Sequence, residues 1–122
     1  MKHWKFLLLI AISLLLSSCA SNYKNVSVQD LASAQEPNYV ILDVRQPEEY
    51  EAGHVVDSVL IPLGELASRT SELSKDAPLY VICRSGNRSK QASEILIKAG
   101  FKDVRNVEGG ILAWQNAGLE VE

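Results

Sequence analysis

The chain has little of what builds small rigid frameworks. Two cysteines in 122 residues are too few for the disulfide-dense scaffold of a small secreted domain. Basic residues do not dominate either: 12 lysines and arginines face 15 carboxylates, a formal charge of −3. A nucleic-acid partner, which needs a basic footprint, is therefore excluded as an expectation. Internal repeats and low-complexity tracts are absent, and the 7 glycines and 4 prolines are ordinary. The one long apolar run, Phe6 to Leu16 broken only by Ser13, is too short to cross a bilayer comfortably. What remains, 47% hydrophobic and 22% charged, is the composition of one compact domain.

Lys2 and Lys5 precede that run and small residues follow it, the layout of an export signal. Leu16-Ser17-Ser18-Cys19 then resembles the bacterial lipobox; the alternative is an ordinary secretory signal with an incidental cysteine. The resemblance implies a signal peptide over residues 1–18, a lipidated Cys19 with a short tether over 19–25, and a domain over 26–122. It also implies two or more acyl chains, enough for stable anchoring where one chain is marginal. Ala20, a residue other than aspartate after the cysteine, points by the sorting rule of many Gram-negative lipoproteins to the periplasmic face of the outer membrane. The expected location is thus the bacterial cell envelope. Without Lys2 and Lys5, 10 basic side chains face 15 acidic ones, leaving −5. Cys83 is then the only thiol and His54 the only histidine of the mature chain. Neither an internal disulfide nor a closed zinc site can be built from them, so no metal is expected. An unpaired thiol in an oxidising compartment is exposed to over-oxidation, and its presence is best understood if it has a task.

Cys83 opens the run Cys83-Arg84-Ser85-Gly86-Asn87-Arg88-Ser89, where the apolar stretch Leu79 to Ile82 gives way to a helical pattern beginning near Ser89. A strand, a tight glycine-containing loop and a helix start, in that order, can turn several backbone N–H groups inward as an anion cradle. A thiolate is one such anion. A lone cysteine at a strand end is more often a small buried hydrophobe. Two arginines and a glycine within five residues of it have no packing rationale, whereas an anion-binding nucleophile accounts for all of them.

Past the tether, strand-like and helix-like segments alternate. Val26 to Val28 reads as a first strand, and Ser27 with Asp30 as a capping pair for a short helix through Ala34. Tyr39 to Leu42 is a strand apolar on both faces. Pro47, with Glu48 and Glu49 in the first turn and Gly53 as the stop, marks a helix. Val59 to Ile61 is a third strand. Leu63, Leu66, Ala67, Thr70 and Leu73 recur at helical spacing. After the Leu79–Ile82 strand, Ala92, Ile95, Leu96 and Ala99 line one face of a helix that Gly100 caps. Val104 to Val107 is a fifth strand, and Gly110 to Gly118 a last helix. The expected fold is α/β, a mostly parallel five-stranded sheet with helices on both faces, which binds ligands beyond the strands' carboxyl ends.

Several segments together resemble the rhodanese family of sulfurtransferases over about residues 26–121: Leu42-Asp43-Val44-Arg45 with Glu49-Tyr50, Gly53-His54-Val55, Ile61-Pro62, the cysteine loop, and Gly109-Gly110 with Trp114. Four residues separate Cys83 from Arg88, as in the six-residue loop of rhodaneses; the related dual-specificity phosphatases have one more. The resemblance implies a three-layer fold without a cofactor and a Cys83 thiolate that takes the outer sulfur of thiosulfate or a similar small anionic donor. The resulting persulfide, held by the loop from Arg84 through Ser85, Gly86 and Asn87 to Arg88, would pass its sulfur to a thiol or to cyanide. Arg84 and Arg88 would bind the donor, with Asp43 and Ser89 in support. A phosphatase, and a non-catalytic binding or redox-sensing module, stay open as alternatives.

The remaining residues have plainer readings. Asp43 is expected to partner a loop or an arginine rather than act as an acid. Arg45 and Glu49, four apart, look like a local ion pair. His54 as a base for Cys83 lacks an orienting third group. Trp114, Phe101 and Ile111 belong to the core, and Gly109 and Gly110 to backbone geometry. Val56-Asp57-Ser58-Val59-Leu60 departs from the family pattern, with Leu60 where an asparagine is usual, so hydrogen bonding there must be solved differently; Asp57 and Ser58 can still turn the chain.

Overall fold

A computed structural model describes residues 22–122. The expected signal segment over residues 1–18 and Cys19 lie outside the described residues. Five strands form one all-parallel sheet: β1 (Lys24–Val26), β2 (Val40–Asp43), β3 (Val59–Leu60), β4 (Leu79–Ile82) and β5 (Val104–Val107), in the order β1-β5-β4-β2-β3. The helices between and after them are α1 (Val28–Ala32), α2 (Pro47–Glu51), α3 (Leu63–Arg69), α4 (Asn87–Lys98) and α5 (Gly110–Asn116), with a 3₁₀ turn over Thr70–Glu72.

Central β4 is buried at all four positions, and alternation divides its side chains between two cores. Leu79, Val81 and Cys83 face Leu66 of α3 and Ala92 and Leu96 of α4, beside Leu42, Phe101 and Val104. Tyr80 and Ile82 face Val28 and Leu31 of α1 and Ile111 and Trp114 of α5. The sheet is thus covered on both faces, as parallel strands require, and Phe101, Ile111 and Trp114 are core residues.

The element boundaries differ from the pattern-based ones for local reasons. β1 begins at Lys24, inside the expected tether, because Lys24–Val26 pairs in register with Arg105–Val107; a sheet ladder has overridden polar composition. Ser27 then caps α1, its hydroxyl accepting from Asp30 N while Ser27 N donates to the Asp30 carboxylate, both at 3.0 Å, and α1 stops at Ala32. The run from Leu63 breaks at Thr70 into the 3₁₀ turn. α4 starts at Asn87 rather than near Ser89 because Gly86, at φ +115°, turns the chain straight into the helix. α5 ends at Asn116, two residues short of Gly118. At the departure from the family pattern, Asp57 takes a left-handed φ of +66°. There the Ser58 hydroxyl donates to Val55 O at 2.6 Å, and Tyr50 Oη donates to Ser58 O at 2.5 Å. Hydrogen bonding in this segment thus runs through Ser58 and Tyr50.

One contact fixes where β4 can hand the chain over. Ile111 N donates to Cys83 O at 2.8 Å and Leu112 N to Arg84 O at 3.2 Å, so the unpaired donors of the first turn of α5 are satisfied by the loop after β4. Gly110, at φ +59°, lies so close that a Cβ there would overlap Cys83 O and the Arg84 carbonyl group. Gly110→Ala should therefore cost about 2–4 kcal/mol, from overpacking combined with a left-handed φ. Urea unfolding measures it, and a loss below about 1 kcal/mol would contradict this account of the approach.

Candidate active site

The Cys83 side chain is 1% exposed at the floor of the loop. Gly86 N donates to Sγ at 3.1 Å, and the Ser89 Oγ lies 3.4 Å away. Burial pushes the thiol up, but hydrogen bonds from the Ser89 hydroxyl and from the backbone N–H groups of Ser89, Gly86 and Ser85 outweigh it, leaving the pKa below the usual thiol value. The start of α4, a helix of 12 residues, aligns its dipole with the same charge.

Ser89 has a further property. Its hydroxyl also reaches Gly86 O at 3.0 Å, yet carries a single hydrogen. Opposite a protonated thiol it donates to Gly86 O and accepts from S–H; opposite a thiolate it can turn its hydrogen to the sulfur. Ser93 in turn donates to Ser89 O at 2.7 Å, holding the first turns of α4 together. Ser85 and Asn87 are exposed on the loop rim and Gly86 is buried within it.

The loop's two arginines are not equivalent. Arg88 is bound bidentately by Glu49 of α2, at 2.7 and 2.9 Å; the Arg88 guanidinium holds the Glu49 carboxyl down at about 2. Arg84 is exposed, and its guanidinium has no hydrogen-bonding or ionic partner among the described residues. The expected Arg45–Glu49 pair does not form. Arg45 is 4% exposed and turns inward, where Nε and Nη2 grip the fully buried Asp43 at 2.8–3.0 Å and Nη2 also donates to Gly53 O at 2.8 Å. A buried carboxylate two residues away outcompetes a part-buried one four away, because breaking a buried pair leaves an uncompensated charge. Asp43 is thus an arginine's partner, as expected.

His54 does not serve Cys83. Its Nδ1 lies 2.8 Å from Tyr50 O, its Nε2 is 3.5 Å from the Glu122 carboxylate, and its ring stacks on Tyr50 with centroids 3.8 Å apart. No group of His, Cys, Asp and Glu among the described residues could hold a metal ion. Beside the loop runs an open groove of about 240 Å³, its walls including Arg84, Glu49, Ala52, Ile111 and Leu112.

Glu49 is the site residue that pattern reading missed. It lies 39 residues from Arg88, and its helical spacing from Arg45 pointed elsewhere. Since its folded pKa lies at about 2 against 4.5 for the free group, its stabilisation is fully present above pH 4.5 and is lost as pH falls through 2. Glu49→Gln should therefore be less stable than the parent chain at pH 7, with the gap narrowing by pH 3. Denaturant unfolding at the two pH values reads this, and a gap independent of pH would refute it.

The comparisons agree with this geometry. The rhodanese-like domain family matches residues 27–117. The thiosulfate sulfurtransferase GlpE of Pseudomonas syringae is 34% identical over 95 residues, covering 78% of this chain and 90% of its own. YrkF of Bacillus subtilis is 49% identical over 74 residues, 61% of this chain, but the match spans only 40% of that protein. A rhodanese-related crystal structure from Thermoplasma volcanium superposes with a TM-score of 0.72 at 34% identity, covering 82% of this chain and 98% of the other. A domain-wide sequence match, the all-parallel sheet and the cysteine loop at its carboxyl edge lead to one conclusion: the chain belongs to the rhodanese-like family of sulfurtransferases.

Proposed function

We propose that the protein moves sulfane sulfur through a persulfide on Cys83, with thiosulfate as a competent donor and a thiol or cyanide as acceptor. The observation that carries this is the buried sulfur with its ring of hydrogen-bond donors. The sulfur of Cys83, a residue only 1% exposed at the floor of a six-residue loop, admits a single protruding atom more readily than a tetrahedral phosphate. The Cys83 thiolate attacks the outer sulfur of thiosulfate; the S–S bond breaks and sulfite leaves with its electron pair, so the enzyme holds Cys83–S–S⁻. The same N–H groups that lower the thiol pKa then face the terminal sulfur's charge. An acceptor thiolate attacks that outer sulfur, Cys83 leaves as thiolate, and the cycle closes without a cofactor.

Arg84 is the cation that meets the anionic donor at the rim, while Arg88, held by Glu49, shapes the end of the loop and offsets charge from one side. Asp43 supports the site from below through Arg45. GlpE of Pseudomonas syringae, named a thiosulfate sulfurtransferase and matched over 90% of its length, supports the donor. We further infer that the enzyme acts in the bacterial cell envelope, anchored through lipidated Cys19 on the periplasmic face of the outer membrane.

Brief exposure of the reduced domain to thiosulfate should add one sulfur atom by intact mass, removable by cyanide or a thiol, and Cys83→Ser should gain none. No gain by reduced, folded protein would overturn the reading in favour of a binding or redox-sensing module. Ser89→Ala should move the midpoint of Cys83 alkylation to higher pH, because the thiolate loses a donor while its burial persists. An unmoved midpoint would show that the hydroxyl does not serve the sulfur.

A further inference from the structure

A parallel sheet has two unlike ends, and in this chain they differ in charge. Beyond the strands' carboxyl ends lie the Cys83 loop and the carboxylates Glu48, Glu49, Glu51 and Glu108, in the segments that directly follow β2 and β5. At the other end, where the chain enters β1 from residue 22, four of the five lysines of the described residues gather. Lys24 opens β1, Lys75 precedes β4, Lys98 ends α4 and Lys102 precedes β5.

All four are exposed. Lys75 and Lys102 belong to adjoining loops, with Lys102 N donating to Lys75 O at 3.4 Å, and Lys75 Nζ approaches Gly100 at the end of α4. The carboxylates of this end are largely spoken for. Asp103 and Glu36 both bind Arg105, and Asp76 is 3.4 Å from Lys102. Lys24, Lys75 and Lys98 take part in no ion pair among the described residues. Tyr23, half-buried beside an open groove of about 530 Å³ that Lys98 and Glu94 also line, and the exposed Tyr39 add amphipathic rings, the residue type favoured at a membrane–water boundary. A domain of net charge −5 over residues 22–122 thus carries three of its unpaired cations at the end where the chain leaves toward Cys19, against Arg84 and Lys90 at the other.

We propose that this lysine-bearing end rests on an anionic lipid surface, with the Cys83 loop turned away from the bilayer toward water-soluble donors and acceptors. The location rests on the reading of Cys19 as a lipid anchor; the charge distribution does not. Only Ala20 and Ser21 lie between Cys19 and the first described residue, so the anchor holds this end close to the headgroups. The 12 residues of α4 span about 18 Å along the sheet, roughly two Debye lengths at physiological salt. The acidic end is therefore carried out of the lipid's field while the lysines stay within it. Attraction at one end and repulsion at the other fix the orientation.

Residues 22–122 hold every strand and both cores, so they are tested as a unit with vesicles and without the lipid anchor. Sedimentation should find binding to vesicles containing phosphatidylglycerol and not to phosphatidylcholine alone, with loss of binding in about 0.5 M salt. The double change Lys75→Glu, Lys98→Glu should weaken it at least about tenfold, whereas Lys90→Glu, at the opposite end, should not. Hydrogen exchange on the vesicles should slow around residues 98–103 and remain unchanged at 84–88. Equal binding to both lipids, no binding to either, or protection at the Cys83 loop would each overturn the proposal. Sulfur gain from thiosulfate in the same samples tests the chemistry separately, and incorporation of labelled palmitate by the full chain in cells tests the anchor, so the three failures are distinguishable.

Discussion

The requirement that a sulfur anion exist out of water governs this structure. Removing an ion from solvent costs several kcal/mol unless donors replace the lost water, and Cys83 has almost no solvent left to it. Beside the Ser89 hydroxyl, most of the donors must then be backbone, since backbone N–H groups cost no side-chain entropy and can converge from several residues at once. Convergence needs a short loop, a residue able to take a left-handed φ at its turn, and a helix start immediately after. Gly86 and the start of α4 at Asn87 meet those needs. The approach of Gly110 then follows from the same constraint: the loop's outward carbonyls, Cys83 O and Arg84 O, need donors of their own, and the first turn of α5 supplies them only if it comes within hydrogen-bonding distance.

Two arginine–carboxylate pairs carry this arrangement into the rest of the fold, at different depths. Asp43 and Arg45 are buried where β2 ends, and by also holding Gly53 O they fix the return of the chain after α2. The Glu49–Arg88 pair, roughly a third exposed, ties α2 to the first turn of α4. The second neutralises an arginine that the loop motif alone would offer to a substrate, and Arg84 is left as the uncommitted charge at the mouth. A single exposed cation suits the proposed anionic donor, which must arrive, react and release its remainder, because a more strongly positive mouth would hold a departing anion as well as attract an arriving one.

Most of the fold was legible because it depends on periodicity. The strands Val40–Asp43 and Leu79–Ile82 are built on apolar runs, and Val104–Val107 on two valines flanking Arg105 and Asn106, each between helical patterns, and alternation of that kind leaves few topologies. Cys83, Gly86 and the capping pair Ser27–Asp30 were legible for a related reason, since each acts through residues near in sequence. β1 was obscured because three residues, two of them polar, owe their strand conformation to pairing with β5. Glu49 was misassigned for a sharper reason. A local spacing rule gave it a partner in Arg45, and only the folded chain reveals that Asp43, buried and nearer, claims that arginine first. Ion pairing is a competition among all charges within reach, and a sequence displays only the local contestants.

That competition also explains how the two ends of one small domain come to differ in charge. Parallel strands send every cysteine-loop, carbonyl-edge and carboxyl-end feature to one side, and every chain entry to the other. Near the β-strand carboxyl ends most charges are drawn into the site's pairs or left acidic around it, with Arg84 the free cation at the mouth, whereas at the entry end Lys24, Lys75 and Lys98 stay outside the local ion pairs and meet solvent. The polarity of the sheet thus becomes a polarity of charge without any added element. A thiol whose pKa is lowered by the Ser89 hydroxyl and by backbone donors, all within hydrogen-bond reach, is insensitive to lysines about two screening lengths away. The chemistry at one end and whatever surface the other end meets can therefore be changed by substitution independently.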